Sequence, residues 1–278
     1  MSFMQLLPLK IIRSLRDLIS AAWLMRNPIA AICFFRSKKN VNGYAKFRVG
    51  RFDLHARKQD WPGIREIFIE DEYEVLDAIR LGAEAPRILD IGANIGGFAL
   101  RAFQHWPMAE VVSVEAAPDT YEILQANRCA NACLAWQALN AGVWGSDGTL
   151  VLDRKPLSIS HRVSQGGNGE FIPSITLATL LDRIGWQAVD LMKIDIEGAE
   201  EIVIPAASDV FRKTGILIVE IHNDRINPQP VYRTLASVFR YCWQLNQRFS
   251  NKPVLILANR DLHLKSIYPI ELRELAAL

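Results

Sequence analysis

The 278-residue chain reads as an α/β fold: a mostly parallel sheet with helices on both faces and an antiparallel hairpin at its C-terminal end. Three observations predict it. From Arg87 onward, short β-branched runs alternate with amphipathic stretches, the pattern of parallel strands joined by crossover helices. The run Ile216-Leu217-Ile218-Val219-Glu220-Ile221 is almost continuously apolar, as a strand covered on both faces must be. The first strand also runs directly into a glycine-rich turn that opens a helix.

Taken in order, strands are expected at 88–91, 111–114, 136–139, 191–194 and 216–221. Helices are expected at 96–105, 119–131, 177–184, 199–206 and 230–242. Runs at 245–249 and 254–258 flank Ser250-Asn251-Lys252-Pro253 and read as the closing hairpin. Between Gly142 and Pro173 lies an insertion with the turn Ser146-Asp147-Gly148 and a loose tract at 164–169, either a surface loop or a cover for a site. It is expected to shape the acceptor side of any site. Upstream, 44–49 and 52–56 read as a hairpin, 64–69 as a strand and 71–81 as a short helix stopped at Gly82. Residues 9–24 have a helical period, with Ile11, Ile12, Leu15, Leu18, Ile19, Ala22 and Trp23 on one stripe. Three parts result: a basic amphipathic arm (1–40), a strand and helix extension (41–86), and a main domain (87–278) carrying the insertion at 142–173.

Half of the residues are hydrophobic and 22% are charged, enough for a sizeable core. The net charge of +2 argues against a dedicated nucleic-acid partner. That near-neutrality hides an asymmetry: residues 1–60 hold 12 Lys/Arg against 3 Asp/Glu, while the remainder is net acidic. A basic amphipathic arm can dock on the main domain, form a dimer contact, or lie on anionic lipid. Charges interrupt its apolar residues, so neither a spanning helix nor a cleaved leader is expected. Four cysteines, Cys33, Cys129, Cys133 and Cys242, lack the density of a disulfide framework and point to a reducing, cytoplasmic setting. Cys129 and Cys133 fall four apart on an expected helix, with no cluster of metal-ligand spacing around them, so no metal site is assigned there.

The chemistry lies in four segments. Arg87-Ile-Leu-Asp-Ile-Gly-Ala-Asn-Ile-Gly-Gly supplies Asp90, Gly92, Asn94 and Gly96 at a strand end, where open α/β sheets bind ligands. A dinucleotide fingerprint needs glycine where Asn94 stands, and Asp90 would repel a phosphate. A cofactor with an ammonium, a sulfonium and no phosphate fits better. Glu115 ends the next strand about twenty residues on, spaced to accept hydrogen bonds from two ribose hydroxyls. The segment Lys193-Ile-Asp-Ile-Glu-Gly-Ala-Glu brings Asp195 and Glu197 to the same edge; Asp195 can position an amino group or the substrate. Glu197 either binds a substrate hydroxyl or caps the following helix. In Val219-Glu-Ile-His-Asn-Asp, His222 is the first candidate for a general base, with Asp195 and Glu197 as alternatives. Asp195, Glu197 and His222 are also possible hard metal ligands by type, but no metal is assigned to them.

These segments, with Arg65-Glu-Ile-Phe, Glu72-Tyr73 and Val-Glu-Ala-Ala-Pro, resemble the FkbM family of class I methyltransferases in order and spacing, over residues 60–221. The resemblance implies a Rossmann-like, seven-stranded sheet, S-adenosylmethionine as cofactor, and Asp90, Gly92, Asn94 and Glu115 lining its pocket. It also implies that Asn140 and Ala141 lie near the adenine, with Asp147 as a further neighbour. The acceptor implied is a small-molecule or glycan hydroxyl, on a sugar, a lipid-linked glycan or a secondary metabolite. A homo-oligomer is among the expected partners. Two other readings are a non-catalytic partner protein of the same fold and an NAD-dependent oxidoreductase.

Overall fold

A computed structural model describes residues 9–36, 45–153, 162–164, 169–245, 251–264 and 268–270. The chain begins with two helices, α1 (Leu9–Met25) and α2 (Pro28–Arg36), then a hairpin, β1 (Ala45–Val49) and β2 (Phe52–Ala56), and a helix, α3 (Trp61–Phe68). The alternating part follows: β3 (Arg87–Ile91), α4 (Gly97–His105), β4 (Glu110–Glu115), α5 (Pro118–Ala130) and β5 (Ala135–Asn140). The insertion holds β6 (Gly142–Val143), β7 (Gly148–Asp153), β8 (Arg162–Ser164) and β9 (Glu170–Ile175). Alternation resumes with α6 (Leu177–Ile184), β10 (Val189–Ile194), α7 (Glu200–Ala206), α8 (Ser208–Phe211), β11 (Thr214–Glu220) and α9 (Gln229–Val238). The chain closes with β12 (Tyr241–Gln244), β13 (Val254–Ala258) and β14 (Tyr268–Pro269).

The main sheet has the order β14-β12-β13-β11-β10-β3-β4-β5. From β11 to β5 all neighbours are parallel, whereas β13, β12 and β14 join antiparallel. The expected seven strands are all there, and the two-residue β14 adds a short edge. Side-chain alternation divides the core into two layers. Ile88, Val111, Leu191, Ile216, Ile218 and Ile256 face one cluster, which they share with α1, α2, the β1–β2 hairpin, α3 and α4. Leu89, Val112, Met192, Leu217, Val219 and Leu257 face the other, under α6 to α9. Both faces of 216–221 are therefore covered, which is why that run lacks alternation.

The N-terminal segments do not form a core of their own; Leu24, Phe47, Leu54, Trp61 and Ile64 pack into the first cluster. Asn127 of α5 ties the hairpin to the glycine loop. Fully buried, it accepts from His55 N (2.6 Å) and donates to His55 O (3.0 Å) and Ile95 O (2.8 Å). Arg57 joins the buried Asp60 to Asp119 at the start of α5.

Five local expectations are corrected. Residues 64–69 lie mostly in helix α3, because Pro62 starts a helix and the apolar residues repeat at helical spacing. The expected helix at 71–81 contracts to a single 3-10 turn, Glu74–Asp77. Helix α9 stops at Val238, and Cys242 belongs to strand β12; the hairpin pairs Tyr241–Gln244 with Val254–Ala258. Of the strand expected at 245–249, residues 246–249 lie outside the described residues, as do Tyr44, Ser250 and residues 165–168 of the loose tract. The described residues of the insertion form a second sheet, β6-β9-β7-β8, that the sequence did not predict. On α1, the apolar stripe is wider than the docked face: Leu18, Ala21, Ala22 and Leu24 pack inward, while Leu15, Ile19 and Trp23 stay exposed. All four cysteines are free thiols, and Cys133 lies past the end of α5.

Candidate active site

Strand β3 delivers the chain to the glycine loop through Asp90, which pairs in register with Ser113 on one side and Lys193 on the other. Asp90 is fully buried in this row. It accepts a hydrogen bond from Ser113 Oγ (3.3 Å), and its Oδ1 stands 3.8 Å from Lys193 Nζ. Burial pushes its carboxyl up to about 6 against the opposing pull of Lys193 and Ser113. Asp90 thus lines neither cavity described below; a mid-sheet position puts it beneath the loop, where it anchors Lys193. Lys193 in turn donates to Gly92 O (2.8 Å), pinning the loop's first turn.

Gly92 has φ +74°, and a Cβ there would stand 1.7 Å from Asp195 O. Close approach of the β10 loop therefore requires this glycine. Gly96 also lies in left-handed backbone, and a Cβ there would meet the Trp136 ring at 2.6 Å, so it serves packing and does not line the cavities. Asn94 takes φ +50°, which asparagine tolerates, and its N–H donates to Glu115 Oε2 (2.8 Å). Ala117 N–H donates to Glu115 Oε1 (2.9 Å). Each carboxylate oxygen keeps a free lone pair. Burial pushes Glu115 up to about 7, opposed by these two amide bonds.

A cavity of about 80 Å³ opens over Glu115, walled by Gly92, Asn94, Ala141, Val143 and Leu152. Asn140 stands behind it, donating to Glu115 O (2.8 Å) and Ala116 O (3.1 Å), and so shapes the turn that presents Ala141. Asp147 lies elsewhere: it accepts from Thr176 N (2.7 Å) and Thr179 Oγ1 (2.8 Å) at the start of α6. Among the described residues, the insertion contributes Gly142, Val143 and Leu152 to this cavity. A second cavity of about 840 Å³ lies on the far side of the loop, between the sheet edge and residues 60–74. The two cavities share Gly92, Asn94, Asp195 and Glu197.

At that junction Asp195 Oδ2 stands 3.5 Å from Lys193 Nζ. Glu197 adopts φ +55° ahead of Gly198, strained backbone that turns its carboxylate toward Arg225, with which it forms a close ion pair. It caps no helix; α7 begins at Glu200. His222 is fully buried and lines neither cavity. Its Nδ1 lies 2.8 Å from Glu200 Oε1; its Nε2 faces Glu197 (3.2 Å), Glu220 (3.9 Å) and Asp195 (4.0 Å). Burial works against a charge on His222, but the Glu200 hydrogen bond and the charges of Asp195, Glu200 and Glu220 prevail and raise its pKa. With no access to either cavity, His222 is ill placed to receive a proton directly from a substrate. Of the surrounding carboxylates, Asp195 and Glu197 line both cavities and Glu220 the larger one.

Sequence reasoning missed Glu200, Glu220 and Arg225 as parts of this cluster. The first two sit within the quoted motifs Lys-Ile-Asp-Ile-Glu-Gly-Ala-Glu and Val-Glu-Ile-His, so their positions were visible but their convergence was not.

A sheet with the Gly92–Asn94 turn and a buried ribose-spaced acid beside it, and no second glycine for a pyrophosphate, defines a class I S-adenosylmethionine-dependent methyltransferase. The family comparison agrees: the methyltransferase FkbM domain matches residues 90–243, just over half of the chain. The chain belongs to that family. It is 26% identical over 179 residues to methyltransferase sdnD of Sordaria araneosa, covering 52% of this chain and 68% of that one. It is 27% identical over 201 residues to hexuronic acid methyltransferase AglP of Haloferax volcanii, covering 70% and 78%. A solved structure of a methyltransferase FkbM from Methylobacillus flagellatus aligns at TM-score 0.49 and 16% identity over 66% of this chain and 46% of that one.

The pocket suits the cofactor: Glu115 has two free lone pairs for ribose hydroxyls, and Asn94 Oδ1 and Asp195 Oδ1 are buried acceptors without hydrogen bonds. Among the described residues no helix is long and apolar enough to cross a membrane.

Proposed function

We propose that the chain methylates a hydroxyl of a neutral, polyhydroxylated acceptor such as a sugar, bound in the 840 Å³ cavity. The observation that carries this is the junction: Gly92, Asn94, Asp195 and Glu197 wall both cavities, so a donor on one side and an acceptor on the other meet beside two carboxylates. When bound, S-adenosylmethionine supplies a methyl group already activated on a cationic sulfur. The protein's share is alignment. Glu115 accepts the ribose hydroxyls, and Ala141, Val143 and Leu152 give the base an apolar slot. Asp195 lines the acceptor side and takes the hydroxyl proton as the oxygen attacks. Lys193, 3.5 Å from Asp195 Oδ2, holds that carboxylate in place.

The acceptor class follows from charge. Nine acidic and four basic residues line the larger cavity, which opposes an anionic acceptor and leaves many acceptors for sugar hydroxyls. The test is transfer of radiolabelled methyl from S-adenosylmethionine to neutral glycosides and to uronosides. A base-stable methyl ether on the neutral sugars is expected. Transfer confined to uronosides, or a base-labile ester, would refute the reading. Cofactor binding without turnover on any hydroxyl acceptor would favour the non-catalytic partner.

The proposal extends to where the acceptor is met. Arg16 of α1 lines the same cavity, and the outer side of α1 and α2 exposes Ile19 (61%), Trp23 (71%) and Ile29 (72%). Together with the basic charge of residues 1–60, this supports docking on an anionic lipid surface that presents a lipid-linked acceptor. Wild type should float with phosphatidylglycerol vesicles and Ile19→Ser/Trp23→Ser should not; failure of the wild type to float would sink this extension.

A further inference from the structure

We propose that Asp195, Glu220 and His222 form a binding site for one divalent cation at the wall of the larger cavity. Each offers one ligand atom, and the three atoms lie within 4.8 Å of one another. His222 Nε2 stands 4.0 Å from Asp195 Oδ1 and 3.9 Å from Glu220 Oε1. Ligands on one octahedral ion with bonds of about 2.1 Å lie about 3 Å apart when adjacent and about 4.2 Å when opposite. Small side-chain adjustments therefore bring all three onto one ion.

The second observation is the histidine. It is fully buried, yet its Nε2 makes no hydrogen bond and is directed into the carboxylate group. The nearest oxygen, Glu197 Oε2, is already committed to Arg225. On the other side of the ring Nδ1 meets Glu200 Oε1 at 2.8 Å, and Glu200 is itself fully buried. An ionised carboxylate can only accept, so Nδ1 carries a hydrogen, and an ion that displaces the Nε2 proton takes that lone pair. A carboxylate behind a histidine that points its other nitrogen at an ion is the usual way metal ligands are oriented. Asp195 Oδ1 is likewise buried without a hydrogen bond, while Lys193 takes the Oδ2 side.

Charge asks for the same occupant. Four carboxyl groups, those of Asp195, Glu197, Glu200 and Glu220, surround the imidazole, against the two cations Lys193 and Arg225. One nitrogen and two carboxylate oxygens suit Mn²⁺, Mg²⁺ or Zn²⁺. The alternative occupant is an ammonium group. That the ion would hold an acceptor oxygen rests on the function proposed above; that it binds does not.

The test is titration of the full chain with Mn²⁺, followed by loss of the free-ion electron paramagnetic resonance signal, with circular dichroism confirming folding. Wild type should bind one Mn²⁺ per chain. Glu220→Gln and Asp195→Asn should abolish binding, and Glu200→Gln should weaken it about 10- to 100-fold by releasing the histidine. Glu66→Gln, in the same cavity but outside the trio, should leave it unchanged. No Mn²⁺ binding by the folded wild type, or equal binding by Glu220→Gln and wild type, would overturn the site. So would a Glu220→Gln variant that keeps Mn²⁺ and loses only S-adenosylmethionine, which would assign the cluster to the ammonium. Turnover is not needed for any of these readings, so a failed acceptor screen leaves them intact.

Discussion

Glu115 offers a sharp quantitative prediction, because its two roles pull its proton in opposite directions. In the folded chain burial pushes the carboxyl up to about 7, against 4.5 in an unfolded one. The folded state therefore binds more protons between these values, and stability falls as the pH rises from 4.5 through 7. The full cost is about 3.5 kcal/mol, at about 1.4 kcal/mol for each tenfold change in proton affinity. Ribose hydroxyls need the ionised acceptor, so ligand affinity moves the other way: it is highest above pH 7 and lost below it. For a group titrating at 7, the ionised fraction drops about tenfold between pH 8 and pH 6. Adenosine is the cleanest ligand, since it carries the ribose without the titrating amine. Calorimetry should show its Kd about tenfold weaker at pH 6 than at pH 8, with proton release on binding. Glu115→Gln should bind weakly and without that slope. Its stability at pH 8 should barely change, because removing a buried charge gains about what losing an amide hydrogen bond costs, roughly 1–3 kcal/mol. A flat profile in wild type, or the same slope in the variant, would refute the assignment.

Further expectations concern the loop and its supports. Gly92→Ala should lose several kcal/mol, on the order of the worst core substitutions, since its Cβ would overlap Asp195 O in backbone already at positive φ; a thermal melt within about 2 °C of wild type would contradict this. Asn127→Ala should cost about 3–5 kcal/mol in urea unfolding, because three backbone groups of the hairpin and glycine loop lose a buried partner. Asp195→Asn should lower kcat about 10²- to 10⁴-fold while adenosine binding in the small cavity stays within about threefold; loss of both together would make Asp195 structural.

Much of the main sheet was legible in the chain, for a physical reason. Strands β3, β4, β5, β10 and β11 fall within two residues of their expected places, because a strand buried on both faces writes a continuous apolar run. Helix α6 was equally plain: Thr176 caps its start and Gly185, in left-handed backbone, ends it. Short elements were misread where one apolar run suits either period. The stretch 64–69 became α3, and Cys242 moved from a helix to β12, once the neighbouring faces decided which side needed covering.

The candidate site divides in the same way. Local order alone placed Gly92, Asn94 and Glu115 at one sheet edge, since a loop that follows a parallel strand can only emerge there. Which of the nearby residues touch the cavities was decided by tertiary structure. Register sank Asp90 between Ser113 and Lys193; a left-handed turn swung Glu197 to Arg225; the burial of β11 drew His222 behind the acids it had been expected to lead. Glu200 and Glu220 lie twenty residues apart in the chain and converge on one imidazole only because parallel strands β10 and β11 end side by side. Sequence carries position along the chain and the covering each residue requires. The meeting of charges across strands, and with it the balance of protons at the site, exists only once the sheet has formed.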